Sequence, residues 1–231
     1  MNVLISGPYA SHKKTTHRLW LAIFCLLICA YSIWIFWAQK LRADDTLWMT
    51  APMLLGAFAV CSITAILSNT PARQLGLIIG HWKFYILIAT VASLIIILLA
   101  IFFKAYWVSG TSQALINWSD HLLKEHWWII PVYLLMIPMQ NFIFRACLQS
   151  VLMDLARNQR EVLLATVIAS LIYSGSHLHI SPALALATVL PGLVWGWLYA
   201  YTRSLLAPTL SHAVSGLVIF YVIGFHELTN M

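Results

Sequence analysis

The sequence predicts an all-α fold, a polytopic transmembrane helix bundle of about seven spanning helices. Three observations carry this expectation. Hydrophobic residues make up 61% of the 231 and charged residues 9%, where a soluble domain carries roughly a quarter charged. Mean hydropathy is +0.85, more apolar surface than a soluble core of this length can bury, so the solvent is lipid. The apolar residues also fall in runs of about 20, the length that crosses a bilayer, divided by polar breaks.

Seven runs qualify, at about 19–39, 48–68, 83–103, 127–151, 162–180, 182–202 and 204–224. The first follows Lys13, Lys14 and Arg18. It is too long for the apolar part of a signal peptide and lacks a small-residue cleavage site, so it reads as a retained helix. Polar breaks separate the first three runs, and a loop from Lys104 to His126 precedes the fourth. Only Ser181-Pro182 and Thr202-Arg203-Ser204 punctuate the last three, and Pro182 suits the first turn of a helix. Trp20, Trp34, Trp37, Trp48, Trp82, Trp107, Trp127 and Trp128 lie near run ends, the pattern of an interfacial aromatic belt.

Charge sets the expected orientation. With the N-terminus inside, Lys13, Lys14, Arg18, Arg73, Lys83, Arg157, Arg160 and Arg203 share the cytoplasmic side. Lys40, Arg42, Lys104 and Lys124 take the other, so the basic excess favours a cytoplasmic N-terminus. The net charge of +6 comes from single Lys and Arg between apolar runs, not from a basic patch on a folded surface, so nucleic acid is excluded as a partner. Cys25, Cys29, Cys61 and Cys147 all lie inside apolar runs and read as small apolar packers.

Three runs carry polar residues at membrane depth, where an ionisable group is costly and marks a functional site by default. The fourth holds Gln140-Asn141-Phe142-Ile143-Phe144-Arg145, the fifth Tyr173-Ser174-Gly175-Ser176-His177-Leu178-His179, and the seventh Ser211-His212-Ala213-Val214-Ser215-Gly216. At about 1.5 Å rise per residue, Gln140, His177 and His212 fall within roughly 10 Å of their segment midpoints, which sets them in one layer. Helical spacing makes Asn141 the expected local partner of Arg145. A guanidinium there needs several acceptors, and the run offers carbonyls, amides and His but no nearby acid. The bland alternative is that these groups only hydrogen-bond helix to helix, at about 0.6 kcal/mol each. His177, His179 and His212 could be imagined as three zinc ligands, but residues two apart on a helix point apart. His179 reads as interfacial, His17 as a loop or interface residue, and no metal or other cofactor is expected.

The three stretches resemble, in order and spacing, the signature of the CAAX-protease and bacteriocin-processing (CPBP) family. That signature is E-E-x-x-x-R, then F-x-x-x-H, then H-x-x-x-N. Here it reads Gln140-Asn141-x-x-x-Arg145, Tyr173-x-x-x-His177 and His212-x-x-x-Gly216. The stretch from Gly192 through Gly196-Trp197-Leu198-Tyr199-Ala200 to Ala207-Pro208 is similar to the family's approach to its last His. The resemblance covers about residues 127–220. It divides the chain into an N-terminal cytoplasmic tail with three variable transmembrane helices (1–126), a CPBP-like four-helix membrane core (127–224) and a short C-terminal tail (225–231).

The resemblance implies an intramembrane endopeptidase acting on a membrane-associated protein or peptide, with water as the nucleophile. The first glutamate and the second-motif His activate the water; the third-motif His and Asn stabilise the oxyanion. Gln140, Asn141, Arg145, His177 and His212 are therefore the candidate catalytic residues. His177 would orient or activate water, His212 would donate to the oxyanion, and Arg145 would hold the neighbouring motif residue.

The departures fall on the chemistry. Gln140 and Asn141 replace both glutamates, and an amide cannot serve as a general base. That loss costs about 10²–10⁴-fold in rate. Gly216 replaces the oxyanion-hole Asn, worth roughly another 10²–10³. Asp44, Asp45, Asp120, Glu125, Asp154, Glu161 and Glu227 all lie in loops or at helix ends, away from the depth of His177 and His212. Two functions follow: a protease in which His177 acts as base, or a pseudoprotease that holds a membrane partner without cutting it. A transporter is disfavoured by the lack of internal repeats. The expected location is a bacterial cytoplasmic membrane, with lipid as the first partner.

Overall fold

The computed structural model describes residues 8–41, 46–77, 80–108 and 129–223, and every regular element among them is helical. The elements are α1 (Pro8–Leu41), α2 (Thr46–Leu67), α3 (Trp82–Val108), α4 (Ile129–Asn141), α5 (Ser150–Leu155), α6 (Gln159–Gly175), α7 (Pro182–Ala187), α8 (Val189–Thr202) and α9 (Leu206–Leu217). A π-helical stretch, Phe142–Gln149, joins α4 to α5, and a second one, Val218–Ile223, continues α9.

Six stretches are long and apolar enough to cross a membrane: Thr16–Trp37, Thr50–Leu67, Trp82–Tyr106, Ile130–Leu155, Pro182–Thr202 and Leu206–Ile223. The chain is an integral membrane protein, and its surface meets lipid with side chains such as Leu67, Leu98 and Phe102. The run expected at 162–180 behaves differently. Its helix α6 has 17 residues and ends at Gly175. Residues 176–181 close in tight turns, with the Ile180 and Ser181 N–H groups donating to the His177 carbonyl. Pro182 opens α7 in its first turn, and the Ser181 hydroxyl caps it by accepting from the Leu184 N–H at 3.0 Å. At the other end of α6, Asn158 Oδ1 caps the Glu161 N–H at 3.0 Å, and the Glu161 carboxylate accepts from the Asn158 side-chain amide at 2.8 Å and from the Arg157 N–H at 2.6 Å.

Two larger apolar clusters form most of the core, beside a smaller one of Met153, Ala165 and Tyr199. One draws Trp20 and Phe24 from α1, Leu54 and Cys61 from α2, Ile143 and Cys147 from the π stretch, and Ala169 from α6. The other draws Ala89, Ala92 and Ile96 from α3, Tyr173 from α6, Trp195 and Leu198 from α8, and Ala207 from α9. Phe144 packs against both, so the polar stretch of the fourth run lies where the clusters meet.

The aromatic belt needs correcting. Trp37 and Trp82 are exposed as a belt requires, but Trp20 is 1% exposed and stacks on Phe24 inside the first cluster. The indole completes the α1 packing face, and its burial outweighs an interfacial placement. Trp48, Trp107, Trp127 and Trp128 lie outside the residues whose side chains are described.

One end of the bundle is tied through Asp154. Its carboxylate accepts from the Gln74 amide at 2.7 Å and lies 3.8 Å from both His17 and Arg203. The Leu205 N–H donates to the Gly76 carbonyl at 3.0 Å, and the Tyr199 hydroxyl to the Gln74 carbonyl at 3.2 Å. His17, expected at a loop or interface, is thus buried on α1 beside Asp154. Lys104, expected in the loop on the opposite side, is buried at the far end of α3, where its ammonium donates to the Ile223 carbonyl at the end of the last π turn.

Candidate functional site

Arg145 is 1% exposed and fully caged. Its Nη1 donates to Gln149 Oε1 at 3.2 Å and to Ser170 Oγ at 3.1 Å, and its Nη2 to the Gly192 carbonyl at 2.8 Å. The Ser170 hydroxyl also donates to the Gly192 carbonyl at 2.9 Å. The Tyr173 ring lies 5.5 Å from the guanidinium carbon, within cation–π range. Gln149 continues the network: its Nε2 donates to the Gly196 carbonyl at 2.8 Å and to Thr166 Oγ1 at 3.1 Å. The acceptors are amide, hydroxyl and carbonyl oxygens, as expected of a run without an acid. The acids among the described residues are engaged elsewhere, Asp154 at the bundle end and Glu161 at the α6 cap.

This cage requires a glycine at 196. A Cβ there would lie 2.9 Å from Arg145 Nη1, Ser170 Oγ and Thr166 Cγ2. Only a bare backbone lets α8 approach closely enough for its carbonyls to reach the two side chains.

Asn141 does not partner Arg145. Its Nδ2 donates to the Ile137 carbonyl at 3.0 Å and lies 3.3 Å from Nδ1 of His212 on α9. The reason is the π stretch between them. The Ser150 N–H bonds to the Arg145 carbonyl five residues back, and this wider turn breaks the four-residue register on which the pairing rested. Arg145 therefore faces α6 and α8 while Asn141 faces α9.

His212 is buried and held at both ring nitrogens. Asn141 stands at Nδ1, and the Tyr173 hydroxyl lies 3.4 Å from Nε2. With the amide donating, Nδ1 is the acceptor and Nε2 carries the proton. Trp195 stacks on the imidazole with centroids 3.8 Å apart and planes 18° apart. The Trp195 indole N–H donates to Ser211 Oγ at 3.3 Å, and the Ser93 hydroxyl of α3 lies 3.2 Å from the same oxygen.

The other predicted residues lie around this pair. His177 is on the turn after α6; its Nδ1 lies 3.1 Å from the Tyr173 carbonyl and its ring 5.0 Å from the Tyr173 ring. Tyr173 thus touches both His177 and His212. Gln140 is half-buried and hydrogen-bonds to no other described residue. His179, expected at the interface, is half-buried and clamped by the N-terminal helices. Its Nε2 lies 2.8 Å from Thr50 Oγ1 and its Nδ1 3.2 Å from the Tyr31 hydroxyl, which also donates to the Gly175 carbonyl at 3.1 Å. Its partners lie on two other helices, α1 and α2, which a single-helix reading cannot see.

Gly216, at the Asn position of the third motif, has no room for a side chain, since a Cβ there would overlap the Tyr133 hydroxyl. The Tyr133 ring lies edge-on to His212, with centroids 6.5 Å apart. Gln149, Ser170, Trp195 and Tyr133 escaped the sequence reading. The signal for the first two was present, as polar residues inside apolar runs, one turn beyond Arg145 and one turn before Ser174. Among the described residues no group of three His, Cys, Asp or Glu side chains converges as metal ligands would.

No curated protein and no solved structure matches the chain. A family does. Residues 123–218, which contain all three polar stretches, match the Type II CAAX prenyl endopeptidase Rce1-like family, and by that match the C-terminal part of this membrane protein is CAAX-protease-like.

Proposed function

We propose that this protein is a pseudoprotease of the CAAX-protease type, a membrane-embedded receptor that holds a membrane-borne peptide or protein segment at the His177–His212 layer and does not hydrolyse it. The observation that carries this reading is the state of His212. Asn141 and Tyr173 take both of its ring nitrogens, so neither is free for a reacting group. Gln140 and Asn141 are amides and take no proton from water. The two described acids lie at the bundle end and the α6 cap, so the layer holds no described carboxylate. The polar side chains keep a hydrogen-bonded shape suited to binding, with amides where the family carries its glutamates. We place the N-terminus on the cytoplasmic side, on the distribution of Lys and Arg, and the chain in a bacterial cytoplasmic membrane, on its compactness and its likeness to the CAAX-protease family.

The test is peptide cleavage by purified full-length protein in nanodiscs over a broad peptide library. Wild type, the double variant Gln140→Glu with Asn141→Glu, and His177→Ala are compared. The expected result is a silent wild type that nonetheless retains peptides, and measurable cleavage by the double-glutamate variant. Cleavage by wild type that His177→Ala abolishes would instead establish an endopeptidase with His177 as its base.

A further inference from the structure

Besides Gln140, a second polar group near His212 is engaged by none of the described residues. Tyr133, on α4, is half-buried, and its hydroxyl makes no hydrogen bond with any described residue. It lies against the Cα of Gly216, in the volume a side chain at 216 would fill. Its ring meets His212 at 6.5 Å and Phe220 at 6.2 Å, both edge-on, which fixes where the hydroxyl points. Among the neighbouring donors, Asn141 is committed to Ile137 and His212, the His212 Nε2–H to the Tyr173 oxygen, and the Trp195 indole to Ser211. A phenolic hydroxyl in apolar surroundings normally finds an acceptor. The glycine at 216 is what makes room for it.

We infer that Tyr133 supplies the hydrogen-bond donor at the position residue 216 leaves empty, and that it binds a backbone carbonyl of the peptide held beside His212. This rests on the reading of the site as a peptide receptor. Tyr133 and residue 216 then form one exchangeable position, which holds either the tyrosine hydroxyl on α4 or a side chain on α9, but not both.

Two measurements on the full chain in nanodiscs test this. The first is thermal unfolding. Tyr133→Phe is expected to leave the melting temperature unchanged or raised, because the hydroxyl has no partner inside the protein. A clear fall would mean that the hydroxyl already serves the fold, and would overturn the inference. The second is binding of the fluorescent library peptides that wild type retains. Tyr133→Phe is expected to weaken binding about tenfold, the loss of one well-placed hydrogen bond. Gly216→Asn alone is expected to lose binding through overlap with Tyr133, and Gly216→Asn with Tyr133→Ala to recover most of it. Equal binding by wild type and Tyr133→Phe overturns the role of Tyr133 and leaves the receptor reading standing. Failure of wild type to retain any peptide removes the receptor reading, and the inference with it.

Discussion

A guanidinium inside a membrane bundle is tolerated only while its donors are met, and the Arg145 cage shows how few groups do this. Ser170 is the most exposed to test because its hydroxyl serves twice, accepting from Arg145 and donating to the Gly192 carbonyl. An ordinary interhelical hydrogen bond in a membrane is worth about 0.6 kcal/mol, and one to a charged group about 1.5–3. Ser170→Ala breaks one of each kind and leaves a charged donor short. We expect a loss of about 2 kcal/mol, near the low end of the charged range because Gln149 and Gly192 still hold the guanidinium. Reversible unfolding of the two proteins in mixed micelles measures the difference. A change below about 0.5 kcal/mol would mean that Arg145 is satisfied without Ser170.

At the scale of the elements, the sequence exposed the helices and the polar layer but not how each helix turns. The apolar runs and Pro182 at the start of α7 were legible, because they depend on composition and periodicity along one helix, whereas the same reading paired Asn141 with Arg145 and not with His212. The π stretch was not. Nothing in Phe-Ile-Phe-Arg-Ala-Cys-Leu-Gln distinguishes a π from an α turn, and that single difference sent Arg145 to α6 and α8 and Asn141 to α9. The clamp on His179 was hidden for another reason: its partners Tyr31 and Thr50 lie 148 and 129 residues away. That clamp ties α1 and α2 to the turn that carries His177. Tyr31→Phe removes a donor to the Gly175 carbonyl and the contacts to His179 while keeping the ring. We expect a global stability loss of about 1 kcal/mol and a larger local effect, with amide exchange at 176–181 at least fivefold faster than in wild type. Hydrogen-exchange mass spectrometry reads both, and unchanged exchange there would show that the turn holds its shape without α1.

For the whole molecule, the question is whether the family-like segment stands alone. Its match ends at 218 and starts at 123, yet both apolar clusters draw on helices outside it. Trp20, Phe24, Leu54 and Cys61 supply the first cluster, and Ala89, Ala92 and Ile96 the second. Polar ties also cross between the two parts, among them His17 and Gln74 at Asp154, Tyr31 and Thr50 at His179, Ser93 at Ser211 and Lys104 at Ile223. Lipid can cover an apolar helix face left bare, but it cannot replace these hydrogen-bond partners or the close packing of α3 on α9. Residues 123–231 expressed alone should therefore insert into membranes but fail to form a compact bundle. Co-expression with residues 1–122 as a separate chain should restore one, because the break falls between runs rather than within a cluster. Fluorescence-detected size exclusion with a tag on the C-terminal fragment separates the outcomes. A sharp monodisperse peak from the fragment alone would mean that α1–α3 are accessory. A sharp peak only with both fragments would mean that the N-terminal helices, variable though they are expected to be, complete the core in which His212 is held.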